Sequence, residues 1–258
     1  MSRIWAGAFF AVIALAVFVY IQEREIVPEG AAPVATTTVA STTTTTVRAA
    51  VTSAASTTIA AIKDIATPPE TGWKRGVATI FWVGEGEGED NGYITNVESA
   101  WDMDWMEHFG GVDDPDTRCG HEPCAFDPQE NSFYVALPYN DLGASGNAKA
   151  NATRIPWYRA SDKSILKNRW IEVRFKGKVC YGQWEDVGPF HEDDIEYVFG
   201  TAVAPLNTMG EKAGIDLSPA VADCLGVDGS DTVEWRHVDS ARVPGGPWKE
   251  TITTRISQ

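Results

Sequence analysis

Hydrophobic residues are distributed differently in the first 70 residues and in the rest of the chain. Residues 4–21 form an apolar run without a charged side chain. As a helix this run is ~27 Å long, close to the thickness of a bilayer's hydrocarbon core. Arg3 precedes the run, which favours a cytoplasmic amino end, and no small-x-small cleavage site follows it. We therefore predict that residues 1–27 are a single-pass membrane anchor, with a cleaved signal peptide as the alternative.

Residues 28–71 are dominated by Thr, Ala and Ser and contain no aromatic side chain. A segment of this composition cannot bury a hydrophobic core, so we predict a disordered linker. From residue 72 onward Trp, Tyr and Phe are frequent enough to build a core. One folded domain is therefore predicted over residues 72–258.

Within this domain, short apolar runs separated by turn residues predict a mainly β fold. In residues 170–175, Ile171, Val173 and Phe175 alternate with charged residues, as in a half-buried strand. Lys176 and Gly177 then predict a turn and a hairpin. The predicted strands cover residues 77–83, 132–138, 170–175, 178–184 and 232–238.

Two helices are predicted between the strands. Thr95 and Glu98 have the spacing of a capping box, and a glycine pair at 110–111 would end the helix that they begin. Its apolar positions recur every four residues, at Val97, Trp101, Trp105 and Phe109. A second, shorter helix is predicted to start after Ser218 and to end at Gly226.

The charge of the chain restricts its partners. The formal net charge is −15, and residues 1–71 carry four basic and five acidic side chains, so −14 falls on residues 72–258. A field of this sign repels nucleic acid and anionic lipid surfaces. We therefore exclude a nucleic-acid partner and expect a neutral or cationic one.

The chain contains four cysteines, an even number that favours disulfides in an exported domain. The predicted pairs are Cys119–Cys124 and Cys180–Cys224. His121 lies between the first two, so a zinc site is the alternative, although the usual four-ligand spacing is missing. We predict neither a metal nor a cofactor.

Two short motifs in the last third of the chain carry the functional prediction. Residues 186–190 read Asp-Val-Gly-Pro-Phe and residues 215–218 read Ile-Asp-Leu-Ser, while residues 135–138 form a strand upstream of them. This order resembles double-psi β-barrel domains of the rare lipoprotein A type and, more distantly, expansins and a membrane-bound lytic transglycosylase. Val187 stands where that family usually has Arg. The resemblance implies a six-stranded double-psi β-barrel with short helical insertions over about residues 75–240.

The resemblance also implies an open groove for polysaccharide, with Asp186 as the acid/base. A carboxylic acid is the group that protonates the leaving oxygen of a glycosidic bond. Asp216 and Asp141 are predicted to approach the same groove, whereas Glu185 should point to the other face of its strand. The predicted substrate-binding aromatics are Trp184, Phe190, Tyr139 and Trp157.

We therefore predict a cell-membrane protein whose folded domain lies outside the cytoplasm and acts on cell-wall glycan. The first hypothesis is an enzyme that cleaves peptidoglycan as a lytic transglycosylase or glycosidase. The alternatives are a non-catalytic, expansin-like carbohydrate-binding module and a structural envelope protein.

Overall fold

The computed structural model describes residues 72–89 and 91–256. The predicted membrane anchor at 1–27 and the predicted linker at 28–71 both lie outside these residues. Among the helices of the described part, none is long and apolar enough to cross a bilayer.

The described residues contain eight strands. They are β1 (Lys74–Ile80), β2 (Arg118–Cys119), β3 (Glu122–Pro123), β4 (Tyr134–Leu137), β5 (Arg169–Phe175), β6 (Lys178–Val187), β7 (Ile215–Leu217) and β8 (Asp231–Val238). Six of them close into a barrel in the order β1-β7-β4-β6-β5-β8, while β2 and β3 form a separate ribbon. The predicted mainly β, six-stranded barrel is therefore confirmed.

The barrel has an internal symmetry of connectivity. The pairs β1–β7 and β4–β6 are parallel, and the other four neighbouring pairs are antiparallel. Exchanging β1 with β6, β4 with β7 and β5 with β8 reproduces every pairing with its direction. One half of the barrel consists of β1, β4 and β5, and the other consists of β6, β7 and β8. The two halves are interleaved, because each contributes one strand to each parallel pair.

Local sequence explains the hairpin of β5 and β6. Lys176 and Gly177 both have positive φ, 46° and 82°. Two successive left-handed residues match the twist of the flanking strands. Ile171 and Val173 on β5 are fully buried in the barrel core, so the predicted alternation holds for the inward face.

Strand β4 is buried on both faces. Val135 and Leu137 point into the barrel core, whereas Tyr134 and Ala136 belong to a second apolar cluster on the outside of the barrel. The other buried members of this outer cluster are Phe81, Val83, Trp105 and Phe109. The segment after β1 and a short helix are therefore packed over the outer face of β4.

Residues 72–89 and 91–256 contain three short α-helices, namely α1 (Trp105–Phe109), α2 (Ile195–Val198) and α3 (Pro219–Leu225). The prediction for α3 is confirmed, because the Ser218 hydroxyl accepts from Val221 N–H and Gly226 closes the helix with φ 72°. The prediction of a helix from Thr95 is wrong. The Thr95 hydroxyl accepts a weak bond from Val97 N–H two residues on, which favours a turn over a helix start.

The predicted first strand at 77–83 also ends too late, because β1 stops at Ile80 and the following residues cross to the outer cluster. Both predicted disulfides are present in the structure. Cys119–Cys124 closes the β2–β3 ribbon, and Cys180–Cys224 joins β6 to α3 with the Cα atoms 6.3 Å apart. The second bond ties together the segments that carry the two aspartate motifs.

Candidate functional site

Four side chains form one row across four adjacent strands. Thr79 on β1 pairs with Asp216 on β7, Asp216 pairs with Ala136 on β4, and Ala136 pairs with Asp186 on β6. Directly paired residues on neighbouring strands share one face of a sheet. Because Ala136 lies in the outer cluster, this row faces away from the barrel core. Because the side chain of Ala136 is only a methyl group, the space between the carboxyl groups of Asp186 and Asp216 is not filled.

The row forms the floor of a cleft of about 380 Å³. Glu85 contributes a third carboxyl to its lining, and Asn91 and Asn96 contribute amides. Among the described residues that line the cleft, none is Lys or Arg. Its apolar lining consists of Ile80, Phe81, Trp82, Ile94, Ala136, Val187, Pro189 and Phe190.

Asp186 is held in the cleft by a backbone amide. Its Oδ1 accepts from Ala100 N–H at 2.7 Å. Ala100 lies in a turn closed by two reciprocal backbone bonds between Ser99 and Asp102, of 2.9 and 3.2 Å. Burial raises the pKa of Asp186 to about 6, against the opposing effects of the amide and of the Lys167 ammonium. Asp186 is therefore an acid that titrates close to neutral pH.

A β-bulge separates Asp186 from its predecessor. The β4–β6 register shifts between Val135, which pairs with Trp184, and Ala136, which pairs with Asp186. Glu185 is the extra residue of the bulge, and it is buried outside the cleft lining. The two consecutive carboxyl groups thus face different surroundings, in line with their predicted separation.

The surroundings of Asp216 raise the pKa of its carboxyl further than those of Asp186 do. Its Oδ1 accepts from the Thr79 hydroxyl, which stabilises the carboxylate form. Burial raises the pKa of Asp216 to about 7, and the nearby Asp186 and Glu85 carboxyl groups add to the rise. A side chain at Gly188 would place its Cβ 3.1 Å from Asp216 Oδ2, so glycine keeps this carboxyl accessible.

Phe190 forms one wall of the cleft with an unusual backbone. Its φ is 56°, a conformation that costs a non-glycine residue about 1–2 kcal/mol. The ring lies so close to Gly92 that a Cβ there would be 3.0 Å from Phe190 Cε1. Backbone strain of this kind is concentrated at ligand-binding sites, and here it directs an aromatic ring to the cleft.

The other predicted site residues do not line this cleft. Asp141 is buried, with its carboxyl accepting from Ser164 Oγ at 2.7 Å and from Ile165 N–H at 2.8 Å, so it anchors a loop. Three of the four predicted aromatics are packed in the barrel core and present no open face for stacking: Trp184, Tyr139 and Trp157. The structure therefore brings together Asp186, Asp216 and Phe190.

Sequence reasoning missed Thr79, Glu85 and Ala100. Thr79 is recognisable only once β1 is paired with β7, and Ala100 contributes a backbone group that no side-chain motif reveals. Glu85 lies in the acidic loop after β1, where burial raises the pKa of its carboxyl, which accepts from Asn96 Nδ2 at 2.6 Å.

The sequence matches no model of a known protein family, and no curated protein matches it. Among solved structures, the fold is similar to that of the Streptomyces papain inhibitor (SPI). The identity is 15%, the TM-score is 0.28, and the alignment covers 66% of this chain and 98% of the inhibitor. A likeness at this level carries no inference about activity.

Proposed function

We propose that residues 72–258 form a double-psi β-barrel that cleaves cell-envelope glycan, with Asp186 and Asp216 as its acid–base pair. The interleaved, self-matching strand pairing supports the barrel type, since a double-psi barrel consists of two such halves. The row of two acids around Ala136 supports the chemistry, and it is the observation on which the proposal depends.

The pair has the protonation states that glycosidic cleavage needs. With pKa values of about 6 and about 7, the pair holds one proton over much of that interval. Asp216 retains this proton longer and is the better donor to a leaving glycosidic oxygen. Asp186, stabilised as a carboxylate by the Ala100 amide, then accepts a proton from the attacking sugar hydroxyl or water. This assignment reverses the roles expected from the motif alone, where Asp186 was the acid.

The spacing of the row accommodates a sugar between the two acids. Two strand spacings separate their Cα atoms, a distance on the order of 10 Å. Cα atoms at this spacing leave room for a carboxyl separation of ~6.5–9.5 Å, which enzymes use when a water lies between the acid and the base. Phe190 and Trp82 supply apolar surface at the edge of the cleft, where the faces of sugar rings pack.

A non-catalytic carbohydrate-binding module is the second candidate. It is favoured by Val187, which replaces the family's Arg, and by the lack of a cation among the described lining residues. In either case we propose that residues 1–27 anchor the chain and that the domain is extracytoplasmic. The two disulfides fit such an oxidising compartment.

Product analysis tests the proposal. The full chain is incubated with purified peptidoglycan. The released fragments are separated, identified by mass spectrometry and quantified over time. We expect Asp186→Asn and Asp216→Asn each to release fragments ~10²- to 10⁴-fold more slowly. Asp162→Asn, an exposed carboxyl outside the cleft, is the matched control and should keep the wild-type rate.

Equal rates in all four proteins would exclude the acid–base pair. If the wild type releases nothing but sediments with peptidoglycan, and filling the cleft with Ala136→Leu abolishes sedimentation, the binding-module function is supported instead.

A further inference from the structure

A buried lysine and a buried glutamate meet at the bulge of β6, outside the cleft. The side chains of Lys167 and Glu185 are each 1% exposed, and Lys167 Nζ lies 3.3 Å from Glu185 Oε2. The contact is an ion pair rather than a directed hydrogen bond. Within the described residues, neither Lys167 Nζ nor either carboxyl oxygen of Glu185 has a hydrogen-bond partner. Buried polar groups are almost always satisfied, so a double exception at one contact requires an explanation.

The surroundings of Glu185 favour its carboxylic acid form. Besides Lys167, two carboxyl groups affect Glu185, namely Glu130 and Asp102. Burial is the largest effect and, with those two carboxyls, raises the pKa of Glu185 to about 8 in spite of the nearby ammonium. Moving one proton from Lys167 to Glu185 converts the ion pair into an amine and a carboxylic acid without any external base. Two buried charges without further hydrogen bonds are costly in a low-dielectric interior.

A proton acceptor with a path towards solvent lies beside the amine. Asp102 Oδ2 is 3.9 Å from Lys167 Nζ. The carboxyl of Asp102 also contacts His108 Nδ1 at 2.8 Å, and the His108 side chain is 25% exposed. Arg255 is the remaining charged group of the cluster, 3.2 Å from Glu130 and 3.9 Å from Asp102. Besides Glu185, Asp102 is thus the carboxyl group that forms an ion pair with Lys167 among the described residues.

From this geometry we propose that Lys167 and Glu185 become joined by an intramolecular isopeptide bond. The amine lone pair attacks the carboxyl carbon of protonated Glu185, and the nitrogen passes its extra proton to Asp102. The Glu185 hydroxyl takes a proton back from Asp102 and leaves as water. One C–N bond forms, one C–O bond breaks and one water is released, so no oxidant or other reactant is consumed. Because the fold holds the amine 3.3 Å from a carboxyl oxygen, the condensation is intramolecular, which raises its rate.

The link would restrain the carboxyl end of β6, one residue before Asp186. It would join this strand to the loop that contains Ser164 and Ile165, which Asp141 anchors from the other side. The bond joins groups outside the cleft, so its detection by mass does not depend on the proposed glycan cleavage, although it would remove the Lys167 charge that lowers the pKa of Asp186.

Peptide mapping of the full chain tests the bond. After reduction of the disulfides, trypsin should yield a branched peptide of residues 164–169 joined to residues 179–212, with a mass one water below the sum of the two. Cleavage after Lys167 should be lost, since an amide nitrogen is not recognised. Lys167→Met should abolish the branched peptide, and the exposed control Lys176→Met should keep the link.

Asp102→Asn should slow formation of the branched peptide after refolding, without changing its mass. The proposal is overturned if the wild-type chain, incubated folded at neutral pH, yields only linear peptides cleaved after Lys167. A branched peptide that persists in Lys167→Met would equally refute it, because another amine would then be responsible.

Discussion

Replacing Asp186 by Asn should stabilise the domain above pH 6 while removing the proposed activity. The pKa of Asp186 is raised from an ordinary 3.8 to about 6, chiefly by burial, and only 7% of the residue is exposed. At ~1.4 kcal/mol per pH unit, this difference corresponds to ~3 kcal/mol. Asn keeps the shape of the side chain and can still accept the Ala100 amide.

The sign follows from proton linkage. Below pH 3.8 the carboxyl is protonated in both the folded and the unfolded state, so it has no net effect on stability. Between pH 3.8 and about 6 only the unfolded state releases the proton, and the wild type progressively loses stability. Asn does not titrate, so the advantage of Asp186→Asn over wild type should grow across this interval and then stay constant.

The assay is thermal unfolding of the disulfide-intact chain at pH 4, 5, 6 and 8, followed by tryptophan fluorescence. For a domain of this size, ~3 kcal/mol corresponds to a Tm about 6–12 °C higher for Asp186→Asn at pH 8, and the difference should shrink to ~1–2 °C at pH 4. Asp162→Asn, at an exposed position, should match the wild type within ~0.5 kcal/mol throughout. If Asp186→Asn is destabilised at every pH, Asp186 is a structural turn residue and the reasoning fails.

Two further predictions concern the disulfides and the second acid. Cys180→Ser opens a bond between residues 44 apart and should lower the free energy of unfolding by ~4 kcal/mol, whereas Cys119→Ser, across a separation of 5, should lower it by ~2 kcal/mol. Urea unfolding measures both, and a larger loss for Cys119→Ser would contradict the chain-entropy argument. Thr79→Val removes the hydroxyl that stabilises the Asp216 carboxylate, so the pKa of Asp216 and the pH limit of activity that it controls should both rise. An unchanged pH profile in Thr79→Val would show that Asp216 does not control the rate.

The features that sequence predicted well are those with local causes. The turn at Lys176 and Gly177 determines the β5–β6 hairpin through its own backbone conformation, whatever surrounds it. The short helix after Ser218 likewise carries its own start and stop signals. These elements need no knowledge of distant partners, and they appear in the structure within a few residues of their predicted bounds.

The predicted helix from Thr95 fails because periodicity alone does not say which surface covers each apolar residue. Trp101 packs against Trp184 and the barrel core, whereas Trp105 packs against Tyr134 in the outer cluster. One straight helix would put both on the same side, so the chain turns between them. The position of Asp141 outside the cleft has a similar cause. Its carboxyl anchors a loop through contacts with residues more than twenty positions later in the chain.

The cleft itself depends on register between strands that are far apart in sequence. Thr79 and Asp216 are 137 residues apart, yet they are direct partners, and only the pairing of four strands reveals that Ala136 separates the two acids. A motif can indicate that Asp186 and Asp216 matter. Their mutual distance, their unequal pKa values and the small residue between them are properties of the closed barrel.

The buried acid and the crosslink on β6 have opposite effects on the stability of the domain. Burying Asp186 as a titratable acid costs about 3 kcal/mol above pH 6, by the same linkage argument. The Cys180–Cys224 bond, which restrains the other end of β6, contributes ~4 kcal/mol in the opposite direction. The destabilising acid and the stabilising crosslink thus lie on one strand and nearly offset each other. The proposed isopeptide bond at Glu185 would restrain the opposite end of the strand, next to Asp186 and away from the disulfide.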